Sequence, residues 1–330
     1  MKDIKIDKIP HEEFVDILKM IKTSRDNALK SVNTELINLY WNIGKYIDEK
    51  IEKSAWGKSV VKELSQYILR YEPDLKGFSS SNLWRMRQFY SSYKKFPKLA
   101  MLLREITWSN NLVIFPQCKT IEEKEFYINL TKKERWSFKE LNRQISSSLF
   151  ERTMLSETKI SPTTKEIYPN TDEYFKEDYI FEFLGLNENY NEDDLQKGLI
   201  NHLKNFILEI GKDFSFIDEK YRLQVGNSDF YIDLLFFHRQ LQCLVAFELK
   251  TEKFRPEHLG QLNFYLEALD RGVKKTHENP SIGILLCKSK DDTVVEYALN
   301  RILSPSMVFR YQTKLPDKKI LQKKFEELLD

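Results

Sequence analysis

Two apolar runs in the second half of the chain each carry ionisable residues where a buried strand tolerates few. Tyr231–Phe237 (YIDLLFF) holds Asp233, and Cys243–Lys250 (CLVAFELK) holds Glu248 and Lys250. Runs this apolar read as strands covered on both faces, and charged side chains are almost never fully buried unless paired. In a strand, Glu248 and Lys250 share a face. If the two runs pair as a hairpin, Asp233 lies beside Glu248, and two carboxylates meet next to an ammonium. Two converging carboxylates repel and are costly to desolvate unless a cation joins them. Mg²⁺ takes one or two carboxylates and completes its shell with waters and phosphate oxygens. It acidifies a water and neutralises charge on a phosphoryl transition state. Lys250 is then placed to orient the attacking water or to stabilise that charge. A salt bridge at a strand end fits the same residues, since Glu-x-Lys is frequent on half-exposed strands.

The surrounding pattern predicts an α/β domain with a mixed sheet. Leu195–Glu209 repeats apolar residues at helical spacing. Tyr221–Val225, Asp229–Phe237 and Cys243–Lys250 read as strands, with a tight turn at Gly226-Asn-Ser228. Pro256–Leu269 and Asp291–Leu299 read as helices on either side of a buried strand, Ser281–Cys287. Gln261 and Tyr265 stand one helical turn apart on one face, from which both can be aimed at the acidic pair.

The first half has a different character. With 330 residues the chain is long enough for two domains. Its net charge of +2 argues by itself against a polyanionic partner. Residues 1–153, however, hold 28 Lys+Arg against 20 Asp+Glu, and the remainder 24 against 30, which gives +8 and −6. The basic half suits a polyanion and the acidic half a cation; two ordinary solvated surfaces would give the same split. Residues 11–52 and Val60–Tyr71 read as helices, with Gly44 marking a close approach. After a turn at Pro73, Asp74 and Gly77, the segment GFSSSNLWRMRQFYSSY (Gly77–Tyr93) predicts a helix capped by Ser79 or Ser80. Leu83, Met86, Tyr90 and Tyr93 would face inward, with Ser81, Arg85, Gln88 and Ser92 outward and Arg87 on the flank. Arg and Gln on such a helix suit insertion in a DNA groove; a helix docked on the core with a polar back fits equally. Ser137 and Glu140 form a capping-box pair opening a helix that carries Arg143 and ends near Arg152. Trp108 and Trp136 read as core. Residues 154–173 lose periodicity and hold Pro162 and Pro169, so they read as a linker between domains 1–153 and 174–330.

Cys118, Cys243 and Cys287 form no CxxC, and an odd count suits a reducing compartment. The five His show no metal-ligand spacing, so zinc is not expected. The N-terminal MKDIKIDKIPHEEF lacks the apolar core of a signal peptide. No apolar run approaches the ~20 residues a membrane span needs. The expectation is a cytoplasmic chain with no membrane partner.

Asp233, Glu248-x-Lys250 and Gln261-x-x-x-Tyr265 resemble the signature of the PD-(D/E)xK nuclease superfamily in its RecB-like form. GNSDFYIDLLFFHRQLQCLVAFELK, PEHLGQLNFYLEALD and NPSIGILLCKSKDDTVVEYAL are similar to the YhcG-like PDDEXK nucleases. NTELINLYWNIGKYI, WGKSVVKEL, GFSSSNLWRMRQFY and WSFKELNRQISSSLFERT are similar to that family's N-terminal domain. The resemblance implies a restriction-endonuclease-like αβββαβ core behind a mainly helical N-terminal domain. It implies an Mg²⁺-dependent deoxyribonuclease, with Mn²⁺ as a substitute. Asp233 and Glu248 would bind the metal, Lys250 would be catalytic, and Gln261 and Tyr265 would support the site or touch DNA. Arg85, Arg87 and Gln88 are the candidate DNA contacts of the first domain. Relatives resemble nucleases associated with restriction or mobile elements, which makes such proteins candidate partners. A homo-oligomer is compatible with the class, and no interface is legible in the sequence. Two positions depart from the pattern: Gln196 stands where a Glu is common, with Glu192 and Asp193 nearby, and Asn110 stands where the family commonly has His. A nuclease-like fold that only binds nucleic acid, or assembles a nuclease complex, is the alternative.

Overall fold

The computed structural model describes residues 11–53, 58–155, 159–171 and 174–329. The chain divides into two compact units, residues 1–142 and 143–330.

The first unit is helical: α1 (His11–Glu52), α2 (Lys58–Tyr71), α3 (Ser80–Tyr93), α4 (Pro97–Leu102), α5 (Trp108–Gln117), α6 (Ile121–Glu134) and the start of α7 (Phe138–Ser146). Ser79 caps α3, its hydroxyl accepting the Asn82 N–H at 3.3 Å. Leu83, Met86, Phe89 and Tyr93 are the buried face of α3. Phe89 takes the place that helical spacing gave to Tyr90, whose half-buried ring stands edge-on to Trp41 at 4.9 Å. α1 packs along α3, and Gly44 lies at their closest approach. A Cβ there would collide with the Met86 carbonyl oxygen, so the helix propensity lost to glycine (about 1 kcal/mol) permits backbone-to-backbone contact. Tyr40, Ile47, Val61, Leu83 and Met86 form the core, with Trp108 against its edge; Trp136 is buried.

The helix opened by Ser137 stops before Arg152. Ser148 adopts φ 54°, which splits the run into α7 and α8 (Leu149–Leu155). Beyond Asn142 these helices belong to the second unit. Arg143 and Gln144 donate to the fully buried Glu209 carboxylate at 2.8 and 3.1 Å. Arg152 donates to the Asp178 carbonyl at 2.7 Å. Burial opposes the Glu209 charge, yet Lys176, Arg143 and Arg152 hold its carboxyl well below the usual range. The compact units therefore part at Asn142/Arg143, earlier than the end of periodicity at 153. The expected linker at 154–173 lies partly outside the described residues, and the described part is packed. Ile160 bridges to Met307. Ser161 caps α9 (Pro162–Ile167) by accepting the Thr164 N–H at 3.2 Å. Ser followed by Pro reads as loop by composition, but it is also an N-cap followed by a first-turn proline.

The second unit holds one six-stranded mixed sheet. Its strands are β1 (Asp178–Ile180), β2 (Phe214–Val225), β3 (Ser228–His238), β4 (Cys243–Lys253), β5 (Asn279–Ser289) and β6 (Ser306–Gln312), in the order β1-β6-β5-β4-β3-β2. β2, β3 and β4 are antiparallel, and β4, β5, β6 and β1 run parallel. Helices α10 (Glu192–Asn201), α11 (Leu203–Ile210), α12 (His258–Gly272) and α13 (Asp292–Leu299) complete the αβββαβ order, and α14 (Lys318–Leu329) follows β6. The single helix expected over Leu195–Glu209 is thus a pair broken at His202. The sheet carries a core on each face. Leu195, Leu199, Phe206 and Ile210 of α10 and α11 belong to one; Leu259, Leu262, Leu266 and Leu269 of α12 belong to the other. A Cβ at Gly283 of β5 would collide with the Leu262 side chain, so α12 sits tightly on the sheet. Cys118, Cys243 and Cys287 are buried, and none of the three is in a disulfide. Among the described residues no helix is long and apolar enough to cross a membrane.

Gly44→Ala should force α1 off α3. Overpacking of this kind costs about 1–3 kcal/mol, read as a lowered melting temperature of the helical unit, whereas an exposed Gly272→Ala control should leave it unchanged.

Candidate active site

The antiparallel ladder between β3 and β4 runs from His238↔Cys243 to Leu234↔Phe247 and ends there. Beyond that pair β3 continues against β2, and β4 continues against β5 through Glu248↔Leu285 and Lys250↔Cys287. The register that sets Leu234 opposite Phe247 brings Asp233 to the level of Glu248 at the mouth of the opening. Asp233 Oδ2 accepts the Leu249 N–H at 2.8 Å, replacing a strand partner with a carboxylate. From the helical side, the buried Gln196 donates its Nε2 to the Asp233 carbonyl at 2.6 Å. Lys250 Nζ lies 2.9 Å from Glu248 Oε1 and 3.5 Å from Glu192 Oε2. On α12, Gln261 Nε2 donates to the Tyr265 hydroxyl at 2.6 Å.

Electrostatics follow from burial. Burial raises the Asp233 carboxyl above its ordinary value, against the pull of the Leu249 N–H and Lys250, and Glu192 adds to the rise. Glu248 is pushed up to about 7 by burial first and by the Asp233 charge second. Burial alone would depress Lys250, but Glu248 and Glu192 outweigh it and hold the ammonium charged. Burial also raises the Tyr265 hydroxyl, with the Glu248 and Asp233 charges adding to it. Three carboxylates thus surround one ammonium, and the buried Glu248 Oε2 has no hydrogen-bond partner. An orphaned carboxylate oxygen in a desolvated acidic cleft is the donor a hard divalent cation takes. Among the described residues, His, Cys, Asp and Glu form no cluster of three with metal-holding geometry. Asp233 and Glu248 are the two carboxylates of this opening that could hold a cation, with waters or phosphate oxygens completing its shell.

Of the residues the sequence marked, Asp233, Glu248 and Lys250 converge, and Gln261 and Tyr265 hydrogen-bond to each other on the neighbouring α12. Asp193 turns away, to Lys220 at 2.9 Å. Two roles escaped the sequence reading. Gln196 is a buried backbone clamp on Asp233, and Glu192, one turn earlier on α10, is a partner of Lys250. Their i, i+4 spacing beside Leu195 and Leu199 was the available signal. In the helical unit, Arg85 and Gln88 are exposed on α3. Arg87 does not project with them: its Nε bonds the buried Asp48 at 2.9 Å, with its guanidinium 5.5 Å from the Trp84 ring centroid. Asn110 is buried and donates to the Trp136 carbonyl at 3.1 Å, a packing role.

This chain is a two-part nuclease of the PDDEXK class: residues 172–327 match the YhcG PDDEXK nuclease domain and residues 16–152 the DUF1016 N-terminal domain, and it belongs to that family. It is 32% identical, over 92% of its length and 90% of the relative's, to the Escherichia coli (strain K12) protein described as "Putative nuclease YhcG". Among solved structures, it is similar to a repair endonuclease from Pyrococcus abyssi (15% identity, TM-score 0.26, covering 40% of this chain and 50% of that one). It is also similar to EndoMS in complex with double-stranded DNA (17% identity, TM-score 0.28, covering 40% and 48%). The chain spans about half the length of those two proteins, and such TM-scores carry no inference about it.

The raised Glu248 pKa sets a stability profile. A carboxyl whose folded pKa exceeds its unfolded value binds more protons when folded, so its stabilisation is complete below about 4.5 and is lost as pH rises to about 7. In EDTA, urea unfolding should show the wild type losing on the order of 2 kcal/mol between about pH 5 and pH 8. Glu248→Gln should remove most of that loss and be the more stable protein at the upper end; parallel profiles would contradict the assignment.

Proposed function

We propose that the chain hydrolyses phosphodiester bonds of DNA with a divalent cation, Mg²⁺ or in its place Mn²⁺, held by Asp233 and Glu248. The observation that carries this reading is the buried, unpartnered Oε2 of Glu248 beside Asp233, at the end of the β3–β4 ladder. When bound, the cation supplies acidification of a water and neutralisation of phosphoryl charge. Asp233 is held rigid for this task, its carboxylate by the Leu249 N–H and its carbonyl by Gln196. Lys250, kept protonated by Glu248 and Glu192, donates to the attacking water or to a phosphate oxygen. The Gln261–Tyr265 pair offers hydrogen-bonding groups to the substrate backbone. The basic character of residues 1–153 and the exposed Arg85 and Gln88 support DNA as the polyanion. Gln196, standing where a further carboxylate is common, favours the second reading, a nuclease-like fold that binds nucleic acid without cutting it.

A panel of labelled duplex, branched and single-stranded DNAs with Mg²⁺ or Mn²⁺ separates the two. Cleavage that EDTA abolishes, and that Glu248→Ala and Lys250→Ala each reduce by about 100-fold or more, supports the nuclease. Salt-dependent binding without cleavage, unchanged by Asp233→Ala, supports the binder.

Arg85→Ala should weaken DNA binding across sequences and lower the slope of log affinity against log salt by about 1. Arg87→Ala should leave that slope unchanged and lower stability instead, since the buried Asp48 then loses one of its two cationic partners among the described residues and keeps Lys94 at 2.9 Å.

A further inference from the structure

We propose that α1 is a dimerisation helix that pairs antiparallel with α1 of a second copy of this chain. α1 is apolar on two faces. One, with Ile37, Tyr40 and Ile47, is buried in the helical unit. The other is set about 100° round the helix, one residue being about 100° of turn. It carries Leu29, Val32, Leu36 and Leu39, which are between 37% and 68% exposed. Their 3-4-3 spacing is that of alternating a and d positions in a heptad seam; the exposed Leu18 continues it at one end, and Ile43, half-buried against the core of the helical unit, closes it at the other. Solitary exposed apolar residues need no explanation; a heptad row along one helix face does. Every side chain from Ile17 to Val32 is exposed. Most helical stability in proteins comes from packing of an apolar face, and among the described residues nothing packs on this stretch.

Charge selects both the partner and its direction. Between the two apolar segments the seam holds Lys22 and Arg25. A parallel pair in register would set Lys22 against Lys22 and Arg25 against Arg25 inside the seam, which is unfavourable. An antiparallel pair with Leu29 opposite Val32 avoids this. It places Leu18 opposite Ile43 and Lys22 opposite Leu39, and it sets Arg25 beside Glu35 of the other copy, twice by symmetry. The uncovered first half of each helix then lies over the exposed seam of the second half of the other. From Leu18 to Ile43 the overlap runs about 39 Å at 1.5 Å per residue, long enough for a specific isologous interface.

Sedimentation equilibrium of the full chain across a concentration series tests this. The expected mass is that of two 39.5 kDa chains. Leu29→Glu with Val32→Glu, both at exposed positions, should weaken dimerisation by about 100-fold or more while leaving the near-ultraviolet circular dichroism of the aromatic core unchanged. Arg25→Glu should also weaken it, and adding Glu35→Arg should restore it. A single-chain mass for the wild type at every concentration would overturn the proposal. So would a dimer indifferent to the seam charges, or a charge swap that fails to restore pairing.

Discussion

The end of the β3–β4 ladder at Leu234↔Phe247 is the constraint on which the site depends. Two strands that part inside a sheet leave backbone groups pointing into the gap, and buried backbone groups require partners. Here the Leu249 N–H finds the Asp233 carboxylate and the Asp233 carbonyl finds the Gln196 amide. The break that creates the demand also assembles its solution, and it leaves Glu248 deep in the opening with one oxygen paired to Lys250 and one unpaired. The apolar strands around it carry the cost. β4 is buried from Cys243 through Leu249, and a core on each face of the sheet holds the buried Glu248 beside the half-buried Asp233.

Packing details elsewhere serve to hold that frame. Gly283 lets α12 close on β5, which fixes the helix bearing Gln261 and Tyr265. Glu209 gathers Arg143, Gln144 and the Ile180 N–H. It thereby draws the end of α7 into the sheet-bearing unit. A buried ion pair of this kind is weak evidence for stability, yet removing one partner is costly because it strands a buried charge. Gly44 plays the corresponding part in the helical unit, where backbone contact with Met86 takes the place of side-chain packing.

Much of this was legible before any fold was known. The helix over 11–52, the three strands ending at Lys250 and the buried strand at Ser281–Cys287 are strong periodic or apolar signals, while the register of the β3–β4 hairpin is seen only in the fold. The segment read as a linker holds a short helix at Ser161-Pro162, where loop composition and helix-cap chemistry coincide. The long helix over Leu195–Glu209 failed at His202, since apolar periodicity continues across the break. β1 is three residues long, too short for any pattern, and exists because β6 offers it a parallel edge.

The sequence by itself marked which ionisable residues would meet if the strands paired, because apolar runs with an embedded Asp, Glu and Lys read as buried strands. It also determined the basic and acidic halves. Tertiary structure decided the partnerships. Arg87 belongs to Asp48 rather than to the exposed face of α3, Lys250 is shared with Glu192, and Gln196 clamps the Asp233 carbonyl. Those assignments depend on distances between residues far apart in the chain, which periodicity does not encode, and on desolvation, which exists only once the sheet is covered.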